Sequence, residues 1–231
     1  MRFITIQKLL LITLLTLSAP VFSDEKFNGP YVGVQIGYAD GKHHGEEFED
    51  DGTLTGYTYK NTTNKILLGG LAGYYKTFSN NILIGVEADY DYRNASKKSI
   101  ELQDGIPSID YTTQSKINTT ASLRAKLGLI FNNKTLAYIT GGYAGADIKT
   151  TYNASDAATF PGTSSNTQWH NGFILGLGAE HYINDKISAK AEYRYADFGE
   201  KNASVAIEEY FNYRQNYDKE NSVRIGLNYH F

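Results

Sequence analysis

The sequence predicts an all-β chain, an eight-stranded antiparallel up-and-down transmembrane β-barrel with four long extracellular loops and short periplasmic turns. Three observations carry this. Segment after segment alternates apolar and polar residues with period two, which suits strands and not helices. The connections between those segments are alternately tight and long, as in a meander whose two ends differ. The chain also opens with a secretory leader.

The leader comes first. Residues 1 to 23 join a positive start (Arg2, Lys8) to the apolar run LLLITLLTL and to small residues near Val21 and Ser23. Cleavage is expected between Ser23 and Asp24, because the run is too short to span a bilayer comfortably as a retained anchor. The barrel domain is then 24 to 231. Loss of Arg2 and Lys8, with no acid among residues 1 to 23, takes the formal charge from −3 to −5. A mildly acidic chain gives no support to nucleic-acid binding. Absence of cysteine excludes disulfides and thiolate chemistry.

The strands follow in order. YVGVQIGY sets Val32, Val34, Ile36 and Tyr38 on one face, and ILIGVEADYDY sets Ile82 through Tyr92 opposite Glu87, Asp89 and Asp91. INTTASLRAKLGL places Leu123, Ala125 and Leu127 opposite Arg124 and Lys126. FILGLGAEH, with Ile174 out of pattern, places Leu175 and Leu177 opposite Glu180; KISAKAEYRY places Ala191 and Tyr193 opposite Lys190, Glu192 and Arg194. VRIGLNYHF ends the chain with Val223, Ile225 and Leu227 opposite Arg224. Glycine-rich segments at 63–76 and 135–146 complete the eight, without a clear choice of face. FSNN, FNNK and INDK read as tight turns; 40–62, 93–113, 147–167 and 197–216 read as long polar connections. Pro30 precedes the first strand and Pro107 and Pro161 fall in connections, so no ladder hydrogen bond is lost.

A soluble sandwich would wet its polar faces with long charged side chains. Here those faces carry glycine and small residues beside isolated charges, as a crowded interior requires. The apolar faces are bounded by tyrosines such as Tyr38, Tyr74, Tyr90, Tyr193 and Tyr229, which suits interfacial girdles around a lipid-facing band. A closed barrel satisfies every backbone group in lipid.

The stretches GPYVGVQIGY, GGLAGYYKTFSNNILIGVEADYDY, SLRAKLGLIFNNKTLAYITGGYAGA, GFILGLGAEHYINDKISAKAEYRYADFG and VRIGLNYHF resemble the small outer-membrane β-barrel family of proteobacteria. These are the opacity-type surface antigens, including hemin-binding and major surface proteins of α-proteobacteria. The resemblance implies the cell outer membrane of a Gram-negative bacterium. It also implies that Phe231 is the signal by which the outer-membrane assembly machinery inserts the barrel. Members share a fold more than an activity.

Parity sends Glu87, Asp89, Arg124, Lys126, Glu180, Lys190, Glu192, Arg194 and Arg224 into the lumen. An eight-stranded barrel is only wide enough for side chains to fill it, so these charges are expected to pair, Glu87 with Arg124 on the next strand. The same residues admit a second reading, a narrow solute path. His43 and His44, beside Glu46, Glu47, Glu49, Asp50 and Asp51, are weak candidates for hemin or metal on a solvated acidic segment. No metal site and no cofactor is otherwise expected. Three classes remain: a structural surface-display protein whose loops meet host or cell-surface molecules, a narrow porin or hemin binder, and a lipid-modifying enzyme. The last would need a nucleophile or acid–base set at one rim, and none is apparent. A monomer in outer-membrane lipid is expected.

Overall fold

The computed structural model describes residues 26–49, 52–103, 106–155, 162–203 and 211–231. It contains β1 (Gly29–Glu49), β2 (Leu54–Thr77), β3 (Ile82–Gln103), β4 (Ile106–Phe131), β5 (Thr135–Ala154), β6 (Gly162–Tyr182), β7 (Ile187–Asp197), β8 (Glu200–Ala203) and β9 (Phe211–His230). Every neighbour pair is antiparallel, and β1 also pairs with β9, which closes the sheet. The four-residue β8 is the continuation of β7: both pair with β9, and only Phe198 and Gly199, the latter at φ 67°, interrupt them. The barrel therefore has eight staves.

Register sets its shape. One circuit of the ladder from Tyr31 passes through Gly73, Glu87, Arg124, Gly142, Ile174, Ala196 and Glu220 and re-enters β1 at Gly41, ten residues further on. With strands about 4.8 Å apart and a rise of about 3.3 Å per residue, that stagger tilts the strands by about 40° and gives a backbone radius of about 8 Å. Such a bore is filled by side chains from opposite walls.

The tight turns form for local reasons. Asn81, Asn132 and Asn133 take φ values of 63°, 50° and 53°, a region asparagine tolerates better than most residues. In the third turn Asn184 Oδ1 accepts from the backbone N–H of Lys186 (2.9 Å) and Ile187 (2.8 Å). The long connections differ from expectation. Most of 40–62, 93–113 and 147–167 continues the ladder: Tyr38 to Glu46 pairs without a break with Ile66 to Thr58, and Thr112 to Ile117 pairs with Asn153 to Ile148. Antiparallel strands already in register keep their backbone bonds beyond a membrane, so polar sequence there does not imply an unpaired loop. Pro107 accordingly lies in β4, at its second residue and beside a register shift near Ile100 and Leu102, where a missing N–H is tolerated.

Side chains obey strict parity through the middle of each strand. Leu123 is 60 % exposed, Arg124 1 %, Lys126 1 % and Leu127 50 %. The outward set forms an apolar band, with Val34, Ile36, Val86, Leu175 and Leu227 among its members. Tyr38, Tyr90, Tyr92, Tyr143, Trp169 and Phe173 bound it toward the long hairpins; Tyr74, Phe78, Phe131, Tyr229 and Phe231 bound it toward the tight turns. The two glycine-rich strands now take faces: Leu67, Leu71 and Tyr75 of β2, and Leu136 and Tyr138 of β5, point inward. Both faces of these strands are apolar, and hydrophobic parity alone therefore could not orient them.

Candidate functional site

The lumen is the candidate site, and it is stacked in three layers. At the turn end, Phe27, Tyr31, Leu71, Tyr75, Leu83, Ile130, Leu136, Tyr138 and Tyr182 form an apolar floor. Tyr31 stacks on Tyr75 with centroids 4.3 Å apart, and Phe27 meets Tyr182 edge-on at 4.6 Å. Phe27 is held there by its own backbone: its N–H donates to Tyr182 Oη (3.3 Å), and its carbonyl accepts from Thr77 Oγ1 (2.7 Å).

Above the floor lie the charges. Six acids (Glu87, Asp89, Asp91, Glu180, Glu192, Glu220) face six bases (Arg93, Arg124, Lys126, Lys190, Arg194, Arg224), all buried, among the described residues. Glu87 sits at the hub. It pairs with Arg124, accepts from Lys126 Nζ at 2.6 Å and from Tyr31 Oη at 2.8 Å, and has Lys190 Nζ at 3.2 Å. Asp89 accepts from Arg124 (2.8 Å), Arg194 (3.1 Å) and Ser122 (2.7 Å). Glu192 pairs with Arg124 at 2.8 Å and with Arg194, and accepts from Tyr138 Oη at 2.7 Å. Asp91 pairs with Arg224 and accepts from Gln35 Nε2 at 2.8 Å. Glu180 lies lower and is bound by Tyr75 Oη (2.8 Å), Ser188 Oγ, Asn228 Nδ2 (2.9 Å) and His230 Nε2 (3.1 Å). Lys126 also stands 4.5 Å from the Tyr138 ring centroid, linking the charges to the floor.

Glycines make the room. A Cβ on Gly69 would strike the Asp91 carboxylate, and one on Gly226 would lie 2.8 Å from the Val34 carbonyl oxygen and 3.2 Å from Lys190 Cε. Toward the hairpins a third layer of Ile117, Ala144, Ala146, Ile148, Ile174, Ala196 and Phe198 covers the charges. Ile174, which broke the outward pattern in sequence, belongs here. The void between the upper two layers, bounded by Asp89, Arg93, Ser122, Arg194, Phe198 and Arg224, is about 10 Å³, room for about one water.

All nine lumenal charges named from parity lie in this network, and Glu87 and Arg124 are register partners. Asp91, on the polar face of ILIGVEADYDY, joins it as well, and so do Arg93 and Glu220 beyond the ends of the expected strands. Arg93 pairs with Glu220, the second contact of that pair being 2.9 Å. The signal is simple continuation of parity: 91 and 93 share the parity of Glu87, and 220 that of Arg224, with 93 and 220 lying in polar sequence that the paired strands extend into. His170, which shares the parity of Ile174, is likewise buried inside the lumen, at 1 % exposure. His43 and His44 occupy ladder positions of β1 opposite Asn61 and Lys60, so they are not on a loop; their side chains lie outside the described residues, as do Asp50, Asp51 and the leader 1–23. Phe231 is exposed, donates its N–H to the Pro30 carbonyl (3.3 Å) and packs edge-on against Tyr229.

Similar proteins agree with this architecture. The 31 kDa outer-membrane immunogenic protein of Brucella melitensis is 30 % identical over 209 residues, covering 89 % of this chain and 84 % of that protein. The 25 kDa outer-membrane immunogenic protein of Brucella abortus is 27 % identical over 215 residues, with 92 % and 82 % covered. Among solved structures, the outer membrane protein OprG of Pseudomonas aeruginosa superposes with a TM-score of 0.56 over 90 % of this chain and 98 % of its own; at 13 % identity the likeness is one of fold. The description of the outer membrane protein beta-barrel domain matches residues 9–231, and the chain belongs to that family of Gram-negative outer-membrane barrels.

Proposed function

We propose that this barrel is a surface-display protein with a plugged lumen: a non-conducting, non-enzymatic, monomeric scaffold that carries the four long hairpins outside the cell, where they meet host or cell-surface molecules. The observation that carries the reading is the filling of the lumen. Six carboxylates and six bases pair across the bore between an aromatic floor and a small apolar roof. Paired in this way the charges neutralise one another and, at the levels of the described residues, fill the bore where an ion would have to pass. The names of the Brucella relatives, outer-membrane immunogenic proteins, fit a protein whose exposed hairpins are seen from outside.

Planar-bilayer recording tests the plug directly. The refolded chain is expected to insert without stable unitary current; reproducible, ion-selective steps would instead favour the narrow-porin reading. Protease added to intact cells tests the display. Cleavage is expected within the hairpins joining β1 to β2, β3 to β4, β5 to β6 and β8 to β9, and the turns near Asn81, Asn132 and Asn184 are expected to survive. Cleavage at the turns would invert the topology.

A further inference from the structure

The outer wall of the barrel carries a charged feature that the lumen does not use. Register sets Lys116 of β4 directly opposite Lys149 of β5. Ile117 is buried in the lumenal roof, so Lys116, its neighbour along the strand, points out with Lys149. Like charges directly opposite each other destabilise an antiparallel pair. Among the described residues neither lysine lies within ion-pair distance of a carboxylate. Asp147, two residues nearer the apolar band on β5, supplies one negative charge against two positive.

Depth is marked independently. Trp169 of β6 is the register partner of Asp147, covers Gly145 and donates from Nε1 to Tyr143 Oη at 3.2 Å. Interfacial tryptophan and tyrosine sit at headgroup level. Lys149 is opposite Thr167, two residues beyond Trp169, or about 5 Å further from the apolar band on strands tilted by about 40°.

We propose that the Lys116–Lys149 pair binds the phosphorylated headgroup of a membrane lipid surrounding the hairpin end of the barrel. A phosphate between two opposed ammonium groups removes their repulsion and supplies the charge that the sheet lacks. With the hairpins outside, as proposed above, that lipid is the phosphorylated glycolipid of the outer leaflet; the binding itself does not depend on this orientation.

Trp169, the sole tryptophan, is a built-in reporter. The refolded full chain in neutral detergent micelles is titrated with lipid A, with the same lipid stripped of its phosphates, and with inorganic phosphate. Tryptophan fluorescence is expected to saturate with lipid A at a concentration at least tenfold lower than with the stripped lipid, and not to respond to inorganic phosphate at the same concentrations. Lys116→Gln with Lys149→Gln is expected to weaken lipid A binding at least tenfold, to the level of the stripped lipid, and Lys116→Arg with Lys149→Arg to preserve it. Heat-dependent mobility in SDS verifies that each variant is a closed barrel, and high salt repeats the test on the unaltered chain, where binding is expected to weaken. Equal affinity for the two lipids, an unchanged double glutamine variant, or displacement by inorganic phosphate at comparable concentration overturns the proposal. None of these outcomes touches the protease result, so its failure and a failure of the display topology are distinguishable.

Discussion

Glu87 and Glu180 are fully buried carboxylates in one lumen, and they are neutralised in opposite ways. Glu87, in the middle layer, is surrounded by cations: Arg124, Lys126 and Lys190 all reach it, and Arg194 stands 3.7 Å away. Glu180, against the floor, is held chiefly by the hydroxyls of Tyr75 and Ser188, the Asn228 amide and an imidazole nitrogen of His230. A buried carboxylate is tolerable if opposite charge or oriented dipoles replace its water. The two solutions differ in what is left behind when the carboxylate is removed. Around Glu87 several cations lose their shared counter-charge; around Glu180 two hydroxyls, an amide and an imidazole lose a hydrogen-bond partner.

Glu87→Ala is therefore expected to have the largest effect. It leaves Lys126 and Lys190 without their direct carboxylate partner, and the loss is expected to be on the order of 3 to 5 kcal/mol, less whatever entering water recovers. Urea unfolding of the refolded barrel in detergent measures it, and a midpoint equal to that of the unaltered chain would remove the distinction between the two carboxylates. An unchanged midpoint together with altered cation preference in bilayer recordings would also transfer Glu87 from plug to pore lining.

Pairing the deletion with its register partner sharpens the point. In Glu87→Ala with Arg124→Ala the lumen keeps equal numbers of acids and bases, so the combined loss is expected to fall short of the sum of the single losses by about 1 to 3 kcal/mol. Strict additivity would mean that the pair is not coupled. The smallest effect is expected at the floor. Glu180→Gln keeps a carbonyl acceptor for Tyr75 or Asn228 and strands no directly paired lysine or arginine, for an expected loss of about 1 to 2 kcal/mol in the same assay. A loss as large as that of Glu87→Ala would show that the negative charge at position 180, and not its hydrogen bonds, is what the floor requires.

Much of this molecule is local and so was readable in a line of residues. Alternation along ILIGVEADYDY or SLRAKLGL separates lipid-facing from lumenal side chains because a strand turns successive residues to opposite faces whatever its neighbours are. Asparagines at 81, 132 and 184 mark tight turns for reasons contained in four residues. Where both faces are apolar, as in β2 and β5, the signal vanished, since Leu67, Tyr75, Leu136 and Tyr138 look alike whether they face lipid or an aromatic floor. Strand ends are no more legible: beyond the apolar band nothing in the residue pattern distinguishes a paired polar strand from a loop, and Arg93 and Glu220 lie past that point.

What the sequence determined by itself is the class of fold, the parity of its well-patterned strands and which charges enter the lumen. Which charges meet there was decided by closure. Asp89 reaches Arg194, 105 residues away, and Gln35 reaches Arg194 across 159. These contacts exist because a stagger of ten residues around eight staves brings particular levels of distant strands to the same height in a bore about 8 Å in radius. Parity is a property of one backbone, whereas level is a property of the whole ring.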